Sequence, residues 1–216
     1  MSTLEGRRII VTAGPTIEPI DPVRFLSNRS SGKQGYLIAE ALAARGADVL
    51  LVSGPTCLAC PDCVDRVDVE TARDMLAAVE TGLPADAFIA VAAVADWRPA
   101  ERHDQKTEKS AHTASLQLVE NPDILKTIAG HRRQRPSLVI GFAAETHDVL
   151  DRARAKRLRK GCDWIVANDV SGDVMGGDEN AAWLITGNNE THWPRAPKQT
   201  LAENLAAAMD DHFATS

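Results

Sequence analysis

β-branched runs that are apolar on both faces, helical periodicity between them and a steady alternation of the two predict an α/β protein. The architecture expected is a Rossmann-like, mostly parallel sheet flanked by helices, interrupted by a polar flap arm and closed by a C-terminal hairpin. Residues 1–216 are expected to form one domain, since 44% apolar content suffices for a sizeable core. Segments 8–12, 48–53, 66–69, 87–95, 137–143 and 163–167 read as strands. Between them, 35–45 places Leu37, Ile38, Ala41 and Leu42 on one helical face, and 72–79 does the same with Met75, Leu76 and Val79. Asn121 is a good N-cap with Pro122 at the first helical position, and a fourth helix is expected over 148–160, before Gly161. Segment 99–113 is polar and lacks helical period, and the alternation at Leu116 and Leu118 predicts an arm that leads into a hairpin. A Gly-rich turn (Gly172, Gly176, Gly177) precedes a second hairpin, 182–186 with 191–194, turned at Gly187-Asn188-Asn189. The last helix, 201–213, aligns Leu201, Leu205, Ala208 and Met209 for packing on the sheet.

Charge and composition narrow the function. Lys and Arg total 24 against 30 Asp and Glu, a net charge of -6, so no broad basic surface is expected and nucleic acid is not an expected partner. The longest uncharged apolar stretch, 87–95, is nine residues, where a bilayer span needs ~20. Only Ile9, Ile10 and Val11 follow Arg7-Arg8, too short a run for a signal-peptide core, so no membrane association and a cytoplasmic location are expected. A reducing compartment makes a disulfide scaffold from the four cysteines unnecessary. Cys57-x2-Cys60-x2-Cys63 has the spacing of a metal clamp or the start of an iron–sulfur site. No nearby Cys or His completes it, so incidental thiols on an exposed loop are the preferred reading.

Several motifs suggest a ligand site. Thr12-Ala13-Gly14-Pro15-Thr16 stands where a dinucleotide fold would carry G-x-G-x-x-G, and only Gly14 is present. The loop Ser27 to Gly35 contains Gly32-Lys33 but has Ser27 and Gln34 where a Walker loop requires Gly and Ser or Thr. Its small residues at a helix start still suit an anion held by backbone N–H groups, with Ser30, Ser31 and Lys33 adding donors; an ordinary capped helix start is the alternative. Ala92 to Asp96 ends a buried strand with a carboxylate where open α/β sheets bind ligands, so Asp96 suits a phosphate-carrying cation or a plain turn cap. Lys106 and Lys109 on the arm, and Lys156 and Lys160 four apart on a helix, are phosphate ligands or solvated charges. No G-x-S-x-G elbow supports serine hydrolase chemistry.

Five runs, covering 12–33, 92–99, 121–124, 141–146 and 167–171 and read in that order, closely resemble the phosphopantothenate–cysteine ligase family, the synthetase half of a bacterial bifunctional coenzyme A biosynthesis flavoprotein. The likeness extends from about Gly6 to the C-terminus. It implies ligation of 4'-phosphopantothenate with L-cysteine: the carboxylate attacks the α-phosphorus of CTP, pyrophosphate leaves, and the cysteine amine displaces CMP from the acyl cytidylate. It also implies Mg2+ with CTP as co-substrate, and a homodimer with an intersubunit site. By resemblance, Asn28 holds the acyl cytidylate and Ser30, Ser31 and Gly32 form the loop for the anionic substrate. Ala92 and Phe142 resemble the cytosine pocket, and Asp96 the ligand of the triphosphate-bound metal. Asn121, Pro122, Asp123 and Ile124 offer a helix start to phosphate, Lys106 resembles the flap lysine, and Lys156 and Lys160 resemble helix lysines that contact CTP.

The sequence departs from the family at the flap, where Lys106-Thr107-Glu108-Lys109 replaces a Lys-x-Lys-Lys pattern and leaves either lysine as the acting one. Most bacterial members carry an N-terminal flavin-dependent decarboxylase domain that this sequence does not include, so FMN is not expected here. A Rossmann-type oxidoreductase lacks its glycines and its Tyr-x-x-x-Lys pair, since Tyr36 is followed at the fourth position by Glu40. A non-catalytic nucleotide-binding module is the remaining alternative.

Overall fold

The computed structural model describes residues 2–106, 108, 115–145, 147–169 and 177–215. Among these, β1 (Arg8–Ala13), β2 (Glu18–Pro19), β3 (Phe25–Leu26), α1 (Lys33–Ala43), β4 (Asp48–Ser53), β5 (Val64–Asp68), α2 (Ala72–Gly82) and β6 (Ala87–Ala90) form the first half. The second half consists of β7 (Trp97–Pro99), β8 (Leu118–Glu120), α3 (Ile124–Ala129), β9 (Leu138–Glu145), α4 (Val149–Lys160), β10 (Trp164–Asp169), β11 (Glu179–Ile185), β12 (Glu190–Pro197) and α5 (Lys198–Ala214). Thr107, Lys109, the end of the arm, Thr146, Val170, Ser171, Gly172 and Gly176 lie outside the described residues.

One sheet in the order β12-β11-β10-β9-β6-β1-β4-β5 carries the molecule. It is parallel from β10 to β5, and the antiparallel β11–β12 hairpin closes one edge. Its central strands are apolar on both faces because both are covered. On one face Leu42 of α1 and Leu201, Leu205 and Met209 of α5 pack against Ile9, Val11 and Ile140. On the other, Met75 and Val79 of α2 and Ile124 and Ile128 of α3 cover Ile10, Phe88 and Val139. The chain leaves β1 for β4 on one side and later places β6 on the other, so the strand order reverses at β1, where open sheets form a crevice.

The structure corrects two boundaries near that crevice. The apolar run expected as a strand to residue 95 pairs with β1 only as far as Ala90. Beyond it the backbone turns to the loop after β1: Ala92 N–H donates to Thr12 Oγ1 at 3.3 Å, Ala93 N–H to Gly14 O at 2.9 Å, and Ala95 N–H to Thr16 Oγ1 at 2.9 Å. These partners satisfy the backbone that a longer strand would have satisfied by pairing. The N-cap of α3 is Asp123 rather than Asn121, with Asp123 Oδ1 accepting from Lys126 N–H at 3.1 Å and Pro122 lying before the cap. Asn121 is engaged elsewhere, its Nδ2 donating to Ala95 O at 2.8 Å and its N–H to Asp96 O at 2.9 Å.

The arm is the connection of a β7–β8 hairpin, with Ala100 N–H donating to Gln117 O at 2.9 Å. A second ribbon, β2–β3, was not evident in the sequence, because its strands are two residues each. It is anchored by Glu18, which is 2% exposed and accepts from Ala72 N–H at 2.9 Å, placing a carboxylate at the first turn of α2.

Candidate active site

Two adjoining cavities open where β1, β6 and β9 end, of 350 and 360 Å³. Ala92, Val94, Phe142 and Lys156 line both and form their common wall. The first cavity also collects Asp96, Asn121, Pro122, Asp123, Ile124 and Lys160. The second collects Ser30, Ser31 and Gly32, together with Lys33 and Lys198. Residues from well-separated stretches of chain thus meet in one cleft.

The loop before α1 is built by local hydrogen bonds. Ser30 N–H donates to Asn28 Oδ1 at 3.0 Å, Gly32 N–H to Ser30 Oγ at 3.3 Å, and Lys33 N–H to Ser31 Oγ at 3.4 Å. The serines therefore accept from the loop backbone, so two N–H groups expected to face an anion already have side-chain partners. Asn28 Nδ2 donates to Ala93 O, tying the loop to the wall of the cleft. Gly14 and Gly32 have φ of 76 and 77°, and a Cβ on Gly32 would lie 2.8 Å from Thr56 Cγ2 and 3.1 Å from Gly14 Cα. Only glycine permits both the left-handed backbone and this approach.

The lysines are held in place. Lys156 Nζ donates to Phe142 O at 2.8 Å, and Lys160 Nζ pairs with Asp123, the α3 cap. Lys33 pairs with Asp178, which the ammonium holds below the usual carboxylate range. Asp96 is exposed at the rim. Lys106 is exposed and lines neither cavity, and Lys109 lies outside the described residues. Asn168, Asn180 and Lys198 line the second cavity and were missed. Asn168 stands in a run that resembles the family, but no feature of its spacing distinguishes a lining amide from a strand end. The thiol loop follows β4 and Cys162, which is buried, precedes β10, with three strands between β4 and β10 in the sheet, so the four cysteines do not converge. Among the described residues, no three His, Cys, Asp or Glu side chains are grouped to hold a metal, and no helix is long and apolar enough to cross a membrane.

Residues 4–212 match the family described as DNA/pantothenate metabolism flavoprotein C-terminal domain. The chain is 46% identical over 212 residues to the coenzyme A biosynthesis bifunctional protein CoaBC of Haemophilus influenzae, an alignment covering 97% of this chain and 53% of that protein. It thus spans about half the length of the curated relatives it matches. A crystal structure of the C-terminal domain of CoaBC superimposes with a TM-score of 0.85 at 38% identity, over 100% of both chains. A Cab2 variant in complex with phosphopantothenate-cysteine shares the fold, with a TM-score of 0.70 at 14% identity over 97% of this chain and 88% of that one. The motifs, the mostly parallel sheet and the match over nearly the whole chain agree: this chain belongs to the DNA/pantothenate metabolism flavoprotein C-terminal domain family.

Proposed function

We propose that the chain, acting as one ligase domain, joins 4'-phosphopantothenate to L-cysteine at the expense of CTP and forms 4'-phosphopantothenoylcysteine through an acyl cytidylate. The observation that carries this reading is the pair of adjoining cavities with a shared wall at Ala92, Phe142 and Lys156. A two-part intermediate, nucleotide on one side and acyl group on the other, needs two such compartments with the reacting phosphorus between them. Membership of the CoaBC family and the phosphopantothenate-cysteine bound by a protein of the same fold support the substrate class.

The substrate carboxylate attacks the α-phosphorus and pyrophosphate leaves; the cysteine amine then attacks the acyl carbon, loses a proton and expels CMP. Such chemistry needs positioning and charge neutralisation rather than a protein nucleophile. Ala92 and Phe142 would receive the cytosine, Ser30, Ser31 and Gly32 the anionic substrate, and Asn28 the acyl phosphate. Lys156 and Lys160 would exchange Phe142 O and Asp123 for phosphate oxygens, beside Asn121, Pro122 and Ile124. Asp96 fits a Mg2+ ion carried by the triphosphate: a single rim carboxylate, with phosphates supplying the remaining oxygens, is how this cation is often held. The cation would neutralise charge on the leaving pyrophosphate. Lys106 would close over the nucleotide from the flap. A homodimer and a cytoplasmic site of action go with this reading.

Incubation with 4'-phosphopantothenate, cysteine and each nucleoside triphosphate in turn tests it. Pyrophosphate and CMP are expected with CTP and phosphopantothenate; release that needs neither acid nor cysteine overturns it.

A further inference from the structure

We infer that Cys60 and Cys63 form a redox-active dithiol, which a small-molecule disulfide oxidises to a disulfide within the β4–β5 loop. This loop carries three of the four cysteines, and Cys57, Cys60 and Cys63 are all exposed. It turns at Asp62 and Cys63, just before β5. Cys63 takes a left-handed φ of 59°, and Cys60 Sγ lies 3.3 Å from the carbonyl oxygen of Val64, the residue after Cys63. Cys63 therefore sits in a tight turn whose far side Cys60 Sγ already approaches, whereas Cys57 lies three residues further back. A dithiol needs two adjacent exposed sulfurs, while a metal clamp needs more ligands, and no three such ligands are grouped among the described residues.

The exchange balances without any further reactant. One cysteine thiolate attacks the oxidant's disulfide, forming a mixed disulfide and releasing one small thiol. The second cysteine thiolate then attacks the protein sulfur of that mixed disulfide, closing the Cys60–Cys63 bond and releasing the second small thiol. Two cysteines are oxidised, the oxidant is reduced to two thiols, and the two cysteine protons pass to the leaving sulfurs.

The same loop supports the cleft, so its oxidation state has a route to it. Thr56, next to Cys57, places Cγ2 2.9 and 2.8 Å from where a Cβ added to Gly14 or Gly32 would lie, and its Oγ1 donates to Tyr36 OH at 3.0 Å. Tyr36 OH is 2.8 Å from Ser53 Oγ at the end of β4. Tyr36 is the one tyrosine in the sequence, so it reports on this corner without interference. Cys162 is an internal control, since it is 4% exposed and burial pushes its thiol up to about 11.

The test uses the full chain, reduced under inert gas, fluorotyrosine-labelled and titrated with oxidised glutathione. Native thiol counts are expected to fall by two of the three exposed groups. Peptide mass spectrometry under non-reducing conditions should map a Cys60–Cys63 link, the fluorine resonance should shift, and dithiothreitol should reverse both. Cys60→Ser and Cys63→Ser should each stop at a glutathione adduct on the remaining cysteine of the pair. A link through Cys57, stable adducts on both Cys60 and Cys63 of the unmutated chain, or a resonance unmoved once the link has formed would overturn the inference. None of these readouts depends on ligase activity, so they stand or fall apart from the proposed reaction.

Discussion

Asn28 uses both ends of its carboxamide, accepting from Ser30 N–H and donating to Ala93 O, so it joins the loop to the wall of the cleft. Asn28→Asp keeps the acceptor, loses the donor and adds a negative charge where an acyl phosphate is proposed to sit. Loss of one donor of this kind costs ~10²–10³ in rate. Cysteine transfer is expected to slow more than activation, so quenched-flow analysis should find the cytidylate accumulating; equal loss in both half-reactions contradicts the role. Cys162 illustrates a different use of burial. Desolvation raises its thiol from 9.0 to about 11. For a thiol raised in this way, the folded state is favoured fully below the unfolded value and loses that advantage as pH rises through the folded one. The loss amounts to about 2–3 kcal/mol at roughly 1.36 per unit. Urea midpoints measured from pH 8 to 11 should fall more steeply for the unmutated chain than for Cys162→Ala.

The β7–β8 hairpin and α4 approach the cleft in different ways. α4 is packed by Ala153 and its lysines are held by Phe142 O and Asp123, the partners they would exchange for phosphate in the proposed nucleotide site. Residues 100–106 of the arm between β7 and β8 are exposed throughout, so little burial opposes their conformational entropy. Closure on CTP would supply charge partners for Lys106 and exclude water from a hydrolysable intermediate. Lys106→Gln is expected to slow activation at least tenfold while leaving thermal stability unchanged, because an exposed lysine contributes little to folding. If the role has moved past Glu108, Lys109→Gln is the inactive variant instead. Hydrogen exchange of the arm should show protection only with CTP; full protection in the free protein removes the gating role.

Two ribbons project from the sheet on the side that carries the arm, β2 against β7, and they leave Val23, Phe25, Trp97 and Leu118 at 61, 55, 49 and 44% exposure. Apolar groups this exposed suit contact with a second copy, in keeping with the proposed homodimer. Light scattering is expected to give twice the chain mass; a single-chain particle with full activity refutes it. Much of the molecule was legible before any coordinates. Alternating β-branched and amphipathic segments specify strands and helices through short-range periodicity, and that alternation implies the parallel order. Where the run from Ala87 ends could not be read in that way, because its partners, Thr12, Gly14 and Thr16, lie some eighty residues away in the chain. The cap of α3 moved to Asp123 for the same reason: the Asn121 amide serves Ala95 O, a contact made only after folding. Residue types and spacing thus determined most of the elements, and the family resemblance nominated the candidate ligand-binding side chains. The meeting of Ala92, Phe142 and Lys156 in one wall was decided by tertiary packing, since backbone groups left unpaired at strand ends take whichever partner the fold brings within hydrogen-bond reach.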